Sequence, residues 1–196
     1  MAATIAHRGP DAADVWVEPY SGIALAFQRL AIVDLTAAGM QPMVSHSGRW
    51  VVVYNGEIYN HHAVRESLTS EVAEWRGHSD TETLTEAIDA WGIEQTLSRI
   101  EGMFAIAAYD TETGQLVLAR DRLGEKPLYW MQQNGVLAFA SELVALRQVS
   151  GAQFDIDPSS AAALLRWSFI PHPHTIYAGV HQVSPGHCLV FDTKQA

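Results

Sequence analysis

Val51-Val52-Val53-Tyr54-Asn55-Gly56-Glu57-Ile58-Tyr59-Asn60 decides how this chain is read. A run of β-branched residues meets Asn-Gly, and a polar cluster follows. The run predicts a buried strand. Asn-Gly is a strong turn signal, because both residues tolerate positive φ. On that reading the strand stops at Asn55 and a β-hairpin follows. A second reading puts a site at the strand end, where Asn55 and the Gly56 amide are suited to hold a developing negative charge. The stretch by itself leaves both open.

Composition narrows the field. The 196 residues are 48% hydrophobic and 17% charged, which suits a globular domain with a real core. A net charge of −10 argues against a nucleic-acid-binding surface, which needs a basic patch. No apolar run reaches the length of a membrane span, and Met1 to Arg8 lacks the apolar core of a signal peptide. The one cysteine, Cys188, excludes an internal disulfide framework and a multi-cysteine zinc site. Cytoplasm is the expected compartment.

Upstream, Gly9-Pro10-Asp11 is turn chemistry inside a loop. Ile23 to Phe27 and Leu30 to Val33 read as strands, with Gln28-Arg29 between them. Arg29 is either an edge arginine reaching solvent by its stem or a fork aimed at a substrate carboxylate. Downstream, Val64, Leu68, Val72 and Trp75 fall at helical spacing, which predicts a helix over 61–75 with Asn60 as N-cap. Ser79 and Glu82 have capping-box spacing, so a second helix should begin near Asp80. A carboxylate there is stabilised as the anion. A short helix over 93–100 leads into a meander: strands over 103–109, 115–120, 128–131 and 136–140, then a short helix capped by Ser141. A helix over 158–167 and a strand over 186–192, carrying Cys188, close the chain. His61-His62 are adjacent, not four apart, and Pro171-His172-Pro173-His174 is read as an extended segment without a third ligand, so no metal site is assigned.

Antiparallel strands with helices in blocks imply an α+β layered fold. No phosphate-binding glycine-rich loop is present. Six motifs then fall in a recognisable order: His7-Arg8-Gly9-Pro10-Asp11, Gln28 to Asp34, Asn55 to Asn60, Ser79 to Glu82, Gly102-Met103-Phe104-Ala105, and Arg120 to Tyr129. In this order they resemble the glutaminase domain of glutamine-hydrolysing asparagine synthetases, a class II glutamine amidotransferase of the N-terminal-nucleophile hydrolase type. The resemblance implies an αββα four-layer sandwich with two antiparallel sheets. It implies an amidotransferase domain over 1–150, and over 151–196 the end of that domain and the lead-in to an ATP-dependent synthetase domain.

By the same resemblance, Arg29 grips the α-carboxylate of L-glutamine and the backbone of Leu30, Ala31, Ile32 and Val33 lines its pocket. Asn55 (side-chain amide) and Gly56 (backbone N–H) form an oxyanion hole. Glu57 and Asp80 hold the substrate, Asp80 through its α-amino group. ATP and Mg belong to the synthetase domain, where aspartate becomes asparagine, and the parent enzyme is a homodimer. The family's nucleophile is an amino-terminal cysteine on the first strand. That strand has no counterpart in Met1-Ala2-Ala3-Thr4, and Cys188 has no free α-amino group to replace it. No Ser-Gly-Gly-x-Asp-Ser loop of the synthetase domain is present. The expectation is a glutaminase domain shortened at both ends and inactive alone. A non-catalytic pseudo-glutaminase scaffold, or the glutaminase half of another amidotransferase or of a β-lactam synthetase, are the alternatives.

Overall fold

The structure is a computed structural model and describes residues 1–31, 36–72 and 74–194. Strand β4 (Trp50–Ile58) is its organising element. β4 pairs along its whole length with β5 (Gly102–Asp110) and over two residues with β3 (Met43–Val44). With β6 (Gln115–Arg120) and β10 (Cys188–Asp192) these make an antiparallel sheet in the order β10-β6-β5-β4-β3.

Alternation explains the continuous apolar run in β4. Successive side chains of a strand point to opposite faces. Trp50, Val52, Tyr54 and Ile58 pack in one core cluster with Leu84, Ala87 and Ile88. Those partners come from the helical layer: α1 (His61–Ser67), α2 (Asp80–Trp91) and α3 (Ile93–Arg99). Val51 and Val53 pack in a second cluster with Leu25, Leu128 and Val183. Both faces of this sheet are covered, so its central strands carry apolar residues throughout.

The second sheet layer comes in two hydrogen-bonded pieces. β1 (Ala12–Glu18) and β2 (Ile23–Arg29) form a hairpin. β7 (Tyr129–Gln133) lies between β8 (Val136–Ala140) and β9 (Val180–Gln182). Outside it, Leu146 of α4 (Leu143–Leu146) packs with Met131, Ala138 and Val180. The layers therefore run helix, sheet, sheet, helix. A further helix, α5 (Pro158–Trp167), is capped by Asp157, whose carboxylate accepts from Ser160 N.

Several local expectations are corrected. β4 does not stop at Asn55-Gly56 but runs on to Ile58, and neither residue has positive φ. β1 was not foreseen, because Val15 and Val17 are exposed, Trp16 is only partly buried, and Asp14 and Glu18 interrupt the apolar pattern. β2 ends at Arg29, so Leu30 and Ala31 lie beyond the strand, and Ile32 and Val33 fall outside the described residues. α1 stops at Ser67, where the Ser67 and Thr69 hydroxyls take the carbonyls of Ala63 and Glu66. Val72 and Trp75 still join the same core, from a loop. Asn60 stands before α1 without capping it. Its amide donates to Arg99 O and accepts from Glu101 N, tying α1 to the entry of β5. Glu142, not Ser141, precedes α4 and makes no cap bond. Residues 171–174 turn rather than extend, with His174 N donating to Pro171 O.

Candidate functional site

β2 and β8 each have one unpaired edge among the described residues. Residues of both edges line a single cavity of about 910 Å³. Its floor is β4 and β5, through Val53, Asn55, Ala105 and Ala107. All seven described residues expected at the site border it: Arg29, Leu30, Ala31, Asn55, Gly56, Glu57 and Asp80. A smaller cleft of about 640 Å³, beside His46, Trp75 and Glu86, contains none of them.

The backbone direction along β4 can be read from its hydrogen bonds. Tyr59 N donates to Glu101 O, so amides of odd-numbered residues face β5. Phe104, opposite Gly56, spends its N–H on Asp121 Oδ2 (3.2 Å) and its carbonyl on Asp121 N (2.9 Å). Gly56 and Phe104 are thus a non-hydrogen-bonded pair. The Gly56 N–H points the other way, to the edge of β4 that β3 does not reach. Its neighbours on that edge are satisfied by side chains: Tyr54 N donates to Gln41 Oε1 (2.6 Å) and Ile58 N to Asp80 Oδ2 (3.1 Å). Between them the Gly56 amide has no partner among the described residues. The Asn55 side chain faces the cavity floor, and its Nδ2 is buried without a partner. Two adjacent residues thus present two open donors. Buried polar groups are nearly always paired, so two open donors at one place mark a spot built to receive an acceptor.

Charged groups sit on either side. Arg29 closes β2 and is buried. Its backbone is held from the preceding turn: Asp11 N donates to Arg29 O (3.0 Å) and Asp11 Oδ2 accepts from Ala31 N (2.8 Å). Gly9 leaves room for this, since a Cβ there would stand 2.3 Å from Gln28 O. Asp80 begins α2 behind its cap, Ser79, whose hydroxyl accepts from Glu82 N (3.2 Å). Tyr54 Oη donates to Asp80 Oδ2 (2.7 Å). Burial, together with the neighbouring Asp80 carboxylate, pushes the Tyr54 phenol far above its ordinary range. Glu57 is exposed and borders the cavity, as does the half-exposed Leu30.

Sequence reasoning missed other groups at the cavity. Lys126 borders it from the loop after β6. That loop closes on Asp121, which accepts from Leu123, Glu125 and Lys126 amides. Burial pushes the Asp121 carboxyl up, but the amides of Lys126, Glu125, Phe104 and Gly124 outweigh it and hold it below its ordinary value. The Arg120 guanidinium donates to the carbonyls of Lys126, Gly124 and Val183. Glu142 accepts from Arg8 (3.0 Å) and pairs with His7 (3.1 Å), joining the opening segment to the end of β8. His7 and Arg8 opened a motif and Lys126 stood in one, but nothing local told which way their side chains turn. Among the described residues no group of three or more His, Cys, Asp and Glu side chains could hold a metal ion, and no helix is long and apolar enough to cross a membrane. Cys188 is exposed on β10, three strands from β4, which at ordinary strand spacing is about 14 Å sideways.

Comparison with known proteins places the chain in a family. The asparagine synthetase [glutamine-hydrolyzing] 3 of Bacillus subtilis (strain 168) is 31% identical over 194 residues, which cover 97% of this chain and 31% of that protein. A putative asparagine synthetase [glutamine-hydrolyzing] of Mycobacterium bovis is 36% identical, covering 92% of this chain and 29% of its own length. The chain thus spans about a third of the relatives it matches. Among solved structures, the glutamine phosphoribosylpyrophosphate amidotransferase of B. subtilis superposes with a TM-score of 0.62 at 22% identity, over 87% of this chain and 33% of that one. That likeness carries the fold alone, the αββα arrangement of N-terminal-nucleophile amidotransferases. A model of the glutamine amidotransferase domain matches residues 1–196. From one end to the other, this chain belongs to the glutamine amidotransferase domain family.

Proposed function

We propose that the cavity binds L-glutamine and that the chain is the glutaminase domain of an asparagine-synthetase-type enzyme. One observation carries the reading: a cation, a carboxylate and two open donors from distant parts of the chain border one cavity. A free amino acid is a zwitterion with an amide tail. Arg29 takes its α-carboxylate as a planar fork, and Asp80 takes its α-ammonium. Glu57 adds a second acceptor at the mouth, and Leu30 and Ala31 form a wall. The side-chain carboxamide then lies at Asn55 and Gly56. During hydrolysis to glutamate and ammonia its oxygen gains negative charge, which Asn55 Nδ2 and Gly56 N–H stabilise.

The attacking thiolate is not among these 196 residues in this reading. Their single cysteine, Cys188, is on the wrong strand. The chain as it stands binds glutamine and does not turn it over. In the parent enzyme, a carboxy-terminal synthetase domain with ATP and Mg uses the ammonia to convert aspartate to asparagine, as a cytoplasmic homodimer. Calorimetric titration with glutamine, beside an ammonia-release assay, tests both halves. Saturable binding without ammonia is expected. Steady ammonia release overturns the claim of inactivity, and failure to bind overturns the assignment of the cavity.

A further inference from the structure

Tyr54, on β4, does more than fill the core. Residues 54, 56 and 58 share one face of β4. Gly56 has no side chain, and the Tyr54 ring occupies the space one would take. A Cβ on Gly56 would stand 2.8 Å from Tyr54 Cε2. Lying along the strand in this way, the ring reaches the start of α2. Its hydroxyl donates to Asp80 Oδ2, and the same oxygen accepts from Ile58 N. Both donors come from β4, on either side of Gly56. The second carboxylate oxygen, Oδ1, receives no hydrogen bond among the described residues, although Asp80 is only 7% exposed and borders the cavity. Oδ1 therefore remains available to accept from a ligand in the cavity.

We propose that Tyr54 is a positioning residue for the anionic clamp. Its hydroxyl fixes Oδ2 of Asp80, which turns Oδ1 toward the ammonium group of the bound amino acid. This rests on the reading of the cavity as a glutamine site. It also gives Gly56 a second duty beside its backbone amide: it clears the path of the tyrosine ring. The phenol cannot lose its proton at any usable pH, for the reasons given above, so Asp80 keeps this donor throughout. Without the hydroxyl, the carboxylate is free to rotate and to share either oxygen with Ile58.

A pair of ligands and one conservative variant test this. The unaltered chain and Tyr54→Phe are titrated calorimetrically with L-glutamine and with glutaramate, which lacks only the α-amino group. Tyr54→Phe is expected to weaken glutamine binding roughly tenfold, in keeping with the loss of one hydrogen bond to a charged group, and to leave glutaramate binding unchanged. Retained glutaramate binding also shows that the variant is folded. Asp80→Asn should show the same ligand pattern more strongly. Equal loss for both ligands, or no loss for glutamine, overturns the role of Tyr54 while leaving the cavity's assignment intact. If the unaltered chain binds neither ligand, the assignment itself fails and the proposal falls with it.

Discussion

Gly56 is constrained by its surroundings in a way its sequence context does not suggest. Asn-Gly suggested a turn, since both residues tolerate positive φ, but the strand continues through them. The glycine is required by space on the opposing strand. A Cβ there would stand 2.1 Å from Met103 O and 2.8 Å from Phe104 Cα, both backbone atoms with little room to yield. Gly56→Ala is expected to cost about 3 kcal/mol of stability, at the upper end of ordinary overpacking, read from the midpoint of urea unfolding. Its neighbour should behave the other way. Asn55 Nδ2 is buried without a partner, a burden of about 1–3 kcal/mol. Asn55→Ala should therefore leave the unfolding midpoint unchanged or higher, although it truncates a half-buried side chain. A clear fall would mean that the amide has a structural partner. Residue identity and family order made Arg29, Asn55, Gly56 and Asp80 legible in the sequence. The packing that demands glycine at 56 was not, because it depends on a strand 48 residues away.

The sequence placed the helix starts better than their caps: Asn60 and Ser141 do not cap α1 and α4, and α2 completes only half of its motif. At α2 the Ser79 hydroxyl caps Glu82 N as the spacing predicts. The reciprocal half of the capping box is missing. Glu82 turns back to the loop instead and accepts from Arg76 N (2.7 Å) and Gly77 N (2.9 Å), with the Arg76 guanidinium also on it. The carboxylate is fully buried. It fixes the loop that delivers Ser79 and Asp80 to the cavity. Glu82→Ala should destabilise the chain by about 3 kcal/mol, since it strands buried donors, and should loosen Asp80 as well. Protease nicking near residue 77 would report the loosening. The loop after β6 gives a pH dependence. The Asp121 carboxyl lies below its ordinary value in the folded chain, as does Asp110, where the Arg49 guanidinium and turn amides overcome the effect of burial. A depressed carboxyl contributes stability above its unfolded value of about 3.9, and that stability is lost as pH falls through the folded value. Melting temperature should drop steeply only below about pH 4, and the drop should be shallower in Asp121→Asn. An acid limb of unchanged steepness in that variant would remove Asp121 as its source.

At the scale of the whole molecule, the element pattern implied an α+β layered fold, because buried strands and amphipathic helices announce themselves, and the family resemblance alone implied its four layers. The division of the second sheet into two pieces was not legible. β1 has an exposed face and half-buried partners, so its pattern never rose above that of a loop. The division leaves β2 and β8 with open edges above one cavity. Apolar surface is also open on and around α5, where Leu165 is 88% exposed and Trp167 and Phe169 more than half. Open edges and exposed apolar patches favour association. Sedimentation velocity is expected to show self-association that grows with concentration. A single monomeric boundary across the concentration range would contradict this. That measurement must be made in reductant, for a reason found far from the cavity. Cys188 is the chain's single thiol, and it stands exposed on the outermost strand of the five-stranded sheet. In air it can couple two chains covalently and mimic self-association. The same placement makes it a handle: a maleimide dye would attach once per chain, on the edge strand rather than at the cavity, and glutamine binding could be followed by fluorescence without altering a residue that touches the ligand.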